Sequence, residues 1–366
     1  MIADRMKCID ASGIRKVFDL AAKMKDPINL SIGQPDFDVP HAVKEAAISA
    51  IRAGRNKYTV TQGIAELHDA LRAQLTKEQR LRNHEGDDIM VSSGTSGALM
   101  LALLTLVNAG DEVLIADPYF VMYKHLVNLL GAVPVFVDTY PDFALTAERV
   151  ERCLTKRTKL LIVNSPCNPT GAVGAARDLE EIAALCNPRG IWVLTDEIYR
   201  TFCYDGPHAS IFPQLERGLL IDGFSKSHAM TGWRIGYAVG PARLIQEMNK
   251  LQQYTFVHAP SIAQHAAVIA LQCDMTPLLH AYRRKRDLIY NGLKDAFACI
   301  KPGGAFYLFV KAPGKSATHF VEQAIARQLL VIPGNVFSER DTHFRISYAA
   351  PDETITRGIA VLRSLA

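Results

Sequence analysis

LLIDGFSKSHAMTGWRIGYAVG, residues 219–240, contains two β-rich runs, LLIDGF and IGYAVG, separated only by the short segment around Lys226. That segment is too short for a helical crossover, so one of the two strands is expected to run antiparallel to its neighbour. Upstream, runs of the same kind recur as DIMV from 88, EVLIA from 112, VPVFVD from 133, KLLIVN from 159 and IWVLTD from 191, with helical stretches between them. This alternation reads as an α/β fold, a mostly parallel seven-stranded sheet sandwiched by helices. Two amphipathic helices, HAVKEAAISAIR and GIAELHDALRAQLTKEQR, lead into it.

After IGYAVG, helical patterning continues from 242 to about 298, broken near Ala259-Pro260 and Thr276-Pro277, and is expected to lead out of the large domain. The tail from 303, with GAFYLFV, FVEQAIARQLL, VIPG and FRISYA, has the pattern of a small α+β domain. Gly33-Gln34-Pro35 lies in a turn-rich strip suited to closing over a cleft. The expected division is an N-terminal segment 1–40 that joins the small domain and covers the site, a large domain 41–275, and a C-terminal part of the small domain 276–366.

A chain of 366 residues, 49% hydrophobic and 21% charged, is long enough for two globular domains and unlike a disordered or fibrous protein. The net charge of +4 comes from dispersed residues. Its densest basic run, Arg283-Arg284-Lys285-Arg286, lies among Tyr282, Leu288, Ile289 and Leu293 at helical spacing. The charges should therefore lie largely on a solvent face, and no nucleic-acid module accompanies them. Seven widely spaced cysteines without a Cys-x-x-Cys pair support neither a disulfide framework nor a metal site. They fit a reducing cytoplasm. The N-terminus lacks a signal-peptide core, and the longest apolar run, ALMLALLTLV at 98–107, is too short to span a bilayer.

Ligands of open parallel sheets bind beyond the carboxyl ends of the strands. Asn168 follows KLLIVN, Asp196 ends IWVLTD and Lys226 follows LLIDGF, with 28 residues from the first to the second and 30 from the second to the third. Each taken singly is also an ordinary turn, cap or surface residue. In phase, they line one crevice. VSSGTSGALMLALL at 91–104 passes from strand to helix, so Gly94, Thr95 and Ser96 present backbone N–H groups and hydroxyls at a positive helix end, an anion cradle beside Arg234.

A phosphate cradle, a Schiff-base lysine, a carboxylate and a stacking aromatic are together what pyridoxal 5′-phosphate requires. Lys226 would be the Schiff-base amine. Asp196 would pair with the pyridinium nitrogen, while Tyr199 and Asn168 would donate toward the ring hydroxyl. Phe120, in ADPYFVMY, would stack on the ring.

The ordered set LSIGQPDF, NKYTVTQGIAEL, SSGTSGAL, DPYF, NSPCNPTG, TDEIY, SKSHAMTGWRIGY, PGGAFYLF and FRISYA resembles the class I/II aminotransferases of the fold-type I pyridoxal-phosphate enzymes nearly end to end. The resemblance implies that Lys226 anchors the cofactor and shuttles the proton, and that Arg345 grips the substrate α-carboxylate with Gly33 lying against it. It also implies that Tyr58 reaches the phosphate of the neighbouring subunit in a homodimer. The implied activity is transfer of the α-amino group of an L-amino acid, aspartate-type, aromatic or broad in choice, to a 2-oxo acid such as 2-oxoglutarate by a ping-pong mechanism.

Two positions depart from the family pattern. Gly223 stands where many members have a phosphate-binding serine, for which Ser225 would compensate, and Phe120 stands where aspartate-type members have tryptophan. A carbon–sulfur β-lyase on the same fold is the nearest alternative, and a non-enzymatic cofactor-binding regulator the remote one. For a second substrate carboxylate Arg15, Lys16 and Arg200 are candidates, and Ile14 and Val17 would shield an apolar side chain.

Overall fold

In the computed structural model, which describes residues 2–11, 13–82 and 86–366, the β-rich runs are buried on both faces except for VPVFVD at the sheet edge, of which only Val137 is buried. Strand β1 is Ile28–Asn29, and the seven central strands are β2 (Asp87–Ser93), β3 (Glu112–Asp117), β4 (Val133–Asp138), β5 (Thr158–Asn164), β6 (Trp192–Asp196), β7 (Gly218–Gly223) and β8 (Ile235–Pro241). They form one sheet in the order β2-β8-β7-β6-β5-β3-β4. Only β8 runs against its neighbours: its pairings with β2 and β7 are antiparallel and the remaining pairings are parallel. The short Lys226 connection thus does what its length requires.

Alternate residues of one strand serve opposite faces. Leu160 and Ile162 pack with the helices Gly94–Leu106 and Ala242–Thr255, whereas Leu161 and Val163 pack under the helix Ala176–Cys186. Double burial explains why these runs are continuously apolar rather than alternating. The helix Gly94–Leu106 contains most of the longest apolar run, and most of its residues are buried in this layer, with Leu104 exposed. Among the described residues no helix is long and apolar enough to cross a membrane.

The remaining strands are β9 (Tyr307–Lys311), β10 (Leu329–Leu330), β11 (Ile332–Pro333) and β12 (His343–Ser347). A three-stranded antiparallel sheet runs β11-β12-β9, and β1 pairs in parallel with β10. Ile28 and Leu30 therefore enter the core built by the C-terminal residues.

The helical stretch after β8 divides. Ala242–Thr255 and Ser261–Ala270 pack on the large sheet, and Thr276–Leu293 packs into the C-terminal core. The basic run on this last helix departs from the solvent-face expectation. Arg286 lies one helical turn from Tyr282, on the face that also carries Ile289 and Leu293, and is 1% exposed. Its guanidinium bonds Asp205 at 2.7 Å and the Pro302 carbonyl at 3.0 Å. Lys285 pairs with Asp36, leaving Arg283 and Arg284 in solvent.

Candidate active site

The carboxyl ends of the parallel strands converge where β3 is flanked by β4 on one side and β5 on the other, the switch point at which open α/β sheets bind ligands. The anion cradle is built first. β2 ends at Ser93 and the helix begins at once with Gly94, whose φ of +68° is left-handed. A Cβ at Gly94 would come within 2.4 Å of Arg234 Nη2. Glycine thus lets the guanidinium lie on the helix start, where its Nη1 and Nη2 donate to the carbonyls of Thr231 and Ser93 at 3.1 and 3.4 Å. Thr95, Ser96, Ser225 and Arg234 line one cavity, with the positive helix end and the guanidinium adding in sign.

The structure explains the glycine at 223. Gly223 pairs with Gly236 across β7 and β8, and a Cβ there would sit 2.9 Å from Gly236 Cα. Gly236 in turn presses on the cradle, since its own added Cβ would be 2.8 Å from Thr95 N. Two strands and a helix start meet too closely for a serine at 223. Ser225, itself buried, is the nearby hydroxyl that lines the cavity.

Asp196 ends β6 at 3% exposure. Burial raises its carboxyl to about 6, against the hydrogen bond from Tyr123. Tyr123 donates its hydroxyl to Asp196 Oδ2 at 2.7 Å. Asn164, at the end of β5, donates to the Asp196 carbonyl at 3.0 Å and accepts from the Asn168 backbone N–H at 3.0 Å, so it fixes the Asn168 loop against β6. The hydroxyls of Tyr199 and Tyr307 are 2.8 Å apart. Lys226 Nζ donates to the Gly33 carbonyl at 2.6 Å and lies 5.9 Å from the Tyr199 ring centre. Burial, with Arg345 and Arg234 nearby, lowers the Lys226 pKa to about 8, and Asp196 opposes this.

Arg345 projects from β12 at 1% exposure. Nη1 donates to Asn168 Oδ1 at 2.9 Å, Nη2 to the Ser31 carbonyl at 2.8 Å, and buried Nε has no partner. The guanidinium carbon lies 4.5 Å from the Tyr307 ring centre and 4.4 Å from that of Phe337. A planar cation is thus held between two rings with N–H donors to spare, the buried Nε–H among them, which suits a carboxylate.

Gly33, Thr95, Ser96, Phe120, Asn168, Asp196, Tyr199, Ser225, Lys226, Arg234 and Arg345 surround this single cavity, with Ile14 at its wall. Tyr58 does not. It is 85% exposed, edge-on to His258 at 5.5 Å. Arg200 is committed elsewhere, to Asp222 at 2.6 Å and Glu78 at 3.0 Å. Arg15 and Lys16 lie outside the cavity's lining, and Val17 packs into the core beside Phe309. Tyr123, Asn164, Tyr307 and Phe337 were not singled out from the sequence, although the first three lie inside or beside quoted motifs.

The family model of aminotransferase class I and II matches residues 25–362. This chain belongs to the class I and II aminotransferases. Like other members of this family it is a pyridoxal 5′-phosphate-dependent transferase. Its relatives include the aspartate aminotransferase of Pyrococcus abyssi, 37% identical over 97% of this chain and 95% of the relative. They also include aromatic-amino-acid aminotransferase 2 of Thermococcus litoralis, 36% identical over the same shares. The structure of Thermus thermophilus aspartate aminotransferase with maleate superimposes with a TM-score of 0.94, at 34% identity and with both chains fully covered. The aminotransferase site fits its cofactor on its own geometry: a cradle open only because residue 94 lacks a Cβ, a buried carboxylate, and an amine of lowered basicity.

Proposed function

We propose that this aminotransferase takes L-aspartate and aromatic L-amino acids as donors and 2-oxoglutarate as acceptor. The observation that carries the reading is Arg345, buried, sandwiched between rings, and keeping Nε free for a carboxylate. The relatives named for aspartate and for aromatic amino acids support the donor range. An apolar wall formed by Ile14 and Phe120 suits the aromatic members of that range.

Pyridoxal phosphate, when bound, supplies an aldehyde that takes up the amino group and a ring that withdraws electrons from the carbon beside it. The chain's own residues do the rest. Arg345 and Asn168 orient the substrate carboxylate. Gly33 holds the Lys226 amine through its carbonyl, and with a pKa near 8 that amine is partly neutral at physiological pH. Lys226 Nζ would then accept the proton from the substrate α-carbon and carry it as the site's proton shuttle. With the cofactor bound, Asp196, fixed by Tyr123, would offer its negative charge to the ring nitrogen, Tyr199 and Asn168 would donate to the ring oxygen, and Phe120 would cover the ring. Gly94, Thr95, Ser96, Ser225 and Arg234 would hold the phosphate.

We further infer a homodimer in which Tyr58 reaches the neighbouring chain's phosphate. The support is an exposed apolar group at Tyr58, Val60, Tyr254, Phe256 and Val257, on one loop and on the end of the helix Ala242–Thr255 with the turn after it, joined by the Tyr58–His258 contact and the bond from Ser261 to the Arg55 carbonyl. The division into 41–275 and a unit built from 1–40 and 276–366 is supported by Ile28 and Leu30 sharing one core with the C-terminal residues, into which Ile198, Tyr199, Phe202 and Tyr204 of the larger unit also pack. Seven unpaired cysteines support a reducing, cytoplasmic setting.

The test is a half-reaction panel. Purified holoenzyme is mixed with aspartate, glutamate, phenylalanine, tyrosine, alanine, methionine or kynurenine, and the cofactor absorbance is followed. Aspartate and the aromatic acids are expected to convert it to that of the amine form, and failure of every donor would end the proposal. Pyruvate and ammonia released from cysteine-type substrates without an oxo acid would point to β-elimination instead.

A further inference from the structure

Tyr307 touches three parts of the site at once. It opens β9 at 1% exposure, two residues before Phe309, whose register partner is Arg345 on β12. The diagonal places the Tyr307 ring against the Arg345 guanidinium, 4.5 Å from centroid to carbon. Its hydroxyl is 2.8 Å from that of Tyr199. The same oxygen would be only 2.6 Å from a Cβ placed on Gly33, the residue whose carbonyl receives Lys226 Nζ. Its side chain thus joins the carboxylate clamp, the lysine's anchor and the tyrosine beside the cofactor ring.

The direction of the Tyr199–Tyr307 bond follows from proton counting. Each phenol has one proton to donate. If Tyr199 donates its own to the ring oxygen, then the 2.8 Å contact can be filled only by Tyr307 donating to Tyr199. Burial raises both phenols and the Arg345 charge opposes that rise on both, so the assignment rests on the proton count and the 2.8 Å contact. Successive donors polarise one another.

We propose that Tyr307 is a positioning residue of the aminotransferase site, donating its phenol proton to Tyr199 so that Tyr199 is aimed at the cofactor's ring oxygen, while its ring face fixes the plane of the Arg345 guanidinium. The proposal rests on the cofactor-side role given above to Tyr199. Tyr307's hydroxyl therefore serves the cofactor and its ring serves the substrate carboxylate, two effects that different substitutions separate.

The experiment compares holoenzymes carrying Tyr307→Phe, Tyr307→Leu, Tyr199→Phe and the double change to Phe at both positions. The readouts are the pH mid-point of the bound cofactor's absorbance, the dissociation constant of maleate as an unreactive dicarboxylate, and kcat and KM. Tyr307→Phe should move the mid-point upward, in the same direction as Tyr199→Phe and by less, with maleate binding changed no more than about twofold because the ring remains. Tyr307→Leu should add a loss of maleate affinity and a rise in KM of about tenfold, the worth of a desolvated cation–π contact.

The double variant should match Tyr199→Phe alone, because Tyr307 acts through Tyr199. Additive shifts, or an unmoved mid-point in Tyr307→Phe, would overturn the proposal. If Tyr307→Phe fails to fold, 3-fluorotyrosine at 307 keeps the shape and makes the phenol more acidic. It should move the mid-point downward, and no movement would again refute the proposal. Wild-type enzyme inert to every amino acid would instead break the functional reading, so the two failures are distinguishable.

Discussion

Lys226 enters the folded chain as an amine that burial and the Arg345 and Arg234 charges pull from 10.5 to about 8. In apoenzyme this has a signed consequence. Between pH 8 and 10.5 the unfolded chain holds the proton that the folded chain has released, so this group makes folding stability rise with pH across that window. Thermal melting of apoenzyme should show the rise, Lys226→Met should flatten it, and Lys226→Met apoenzyme should melt higher than the parent at pH 7. If the two proteins share one pH profile, the amine is not desolvated as described. Lys226→Ala should abolish transamination while leaving the fold intact, checked by single-turnover kinetics and circular dichroism. Lys226, Asp196 and Asn168 stood out because each ends or follows a strand in a short motif, whereas Arg345, in the middle of β12, was pointed to only by the family resemblance. Tyr123 and Tyr307 were not, since their roles depend on partners 73 and 108 residues away. A tyrosine inside a helix or opening a strand has no local mark that separates packing from positioning.

At the scale of elements, Arg80 is the clearest case of a residue whose role the sequence pattern hid. The reading 63–80 placed it on the polar tail of an amphipathic helix. The helix ends at Lys77, and Gln79 takes a left-handed φ of 55°, which turns Arg80 into the core behind Asp196 and Tyr199. There its Nε and Nη2 bond Glu197 at 3.0 and 2.7 Å, and Nη2 also bonds Asp222 at 2.9 Å. Arg200 joins Asp222 to Glu78, and Tyr237 donates to Asp222 at 3.0 Å. The ends of β6 and β7, which carry Asp196 and the Lys226 loop, are thus tied through a charge network whose centre, Arg80, Glu197 and Asp222, is buried. Burial alone would raise the Glu197 pKa, but Arg80 and His208 hold it well below the usual carboxylate range. Stability from this carboxylate is present above its unfolded pKa of 4.5 and falls away as pH drops below it. Arg80→Met should cost about 3–5 kcal/mol at pH 7, because one partner of a buried pair is left uncompensated. The difference from the parent should shrink near pH 4, where Glu197 in the variant is protonated. Urea unfolding at the two pH values measures both, and an equal difference at each would exclude Glu197 as the source.

At the scale of the whole molecule, the fold was readable because double burial leaves a plain pattern of apolar runs and a short antiparallel return. What covers the site was less so, because it comes from chain segments far apart. Ser31 and Gly33 approach from the N-terminal strip, held there by the β1–β10 pairing, and Arg345 approaches from the C-terminal sheet. Tyr58 faces away from its own cavity, so the proposed dimer predicts a specific complementation. A chain with Lys226→Ala has no working site of its own but still offers Tyr58; a chain with Tyr58→Ala keeps Lys226 but offers nothing to its neighbour. In a mixed dimer the second chain's site receives its own lysine and the first chain's tyrosine, and is native. Random exchange of the two variants should therefore restore about a quarter of the native sites, as half the dimers are mixed and each has one good site. Assayed at limiting pyridoxal phosphate, where loss of a phosphate contact matters most, the mixture should exceed the mean of the two parents. If Tyr58 served its own chain, or if the exposed face around Tyr254 and Val257 were not an interface, mixing would give only that mean.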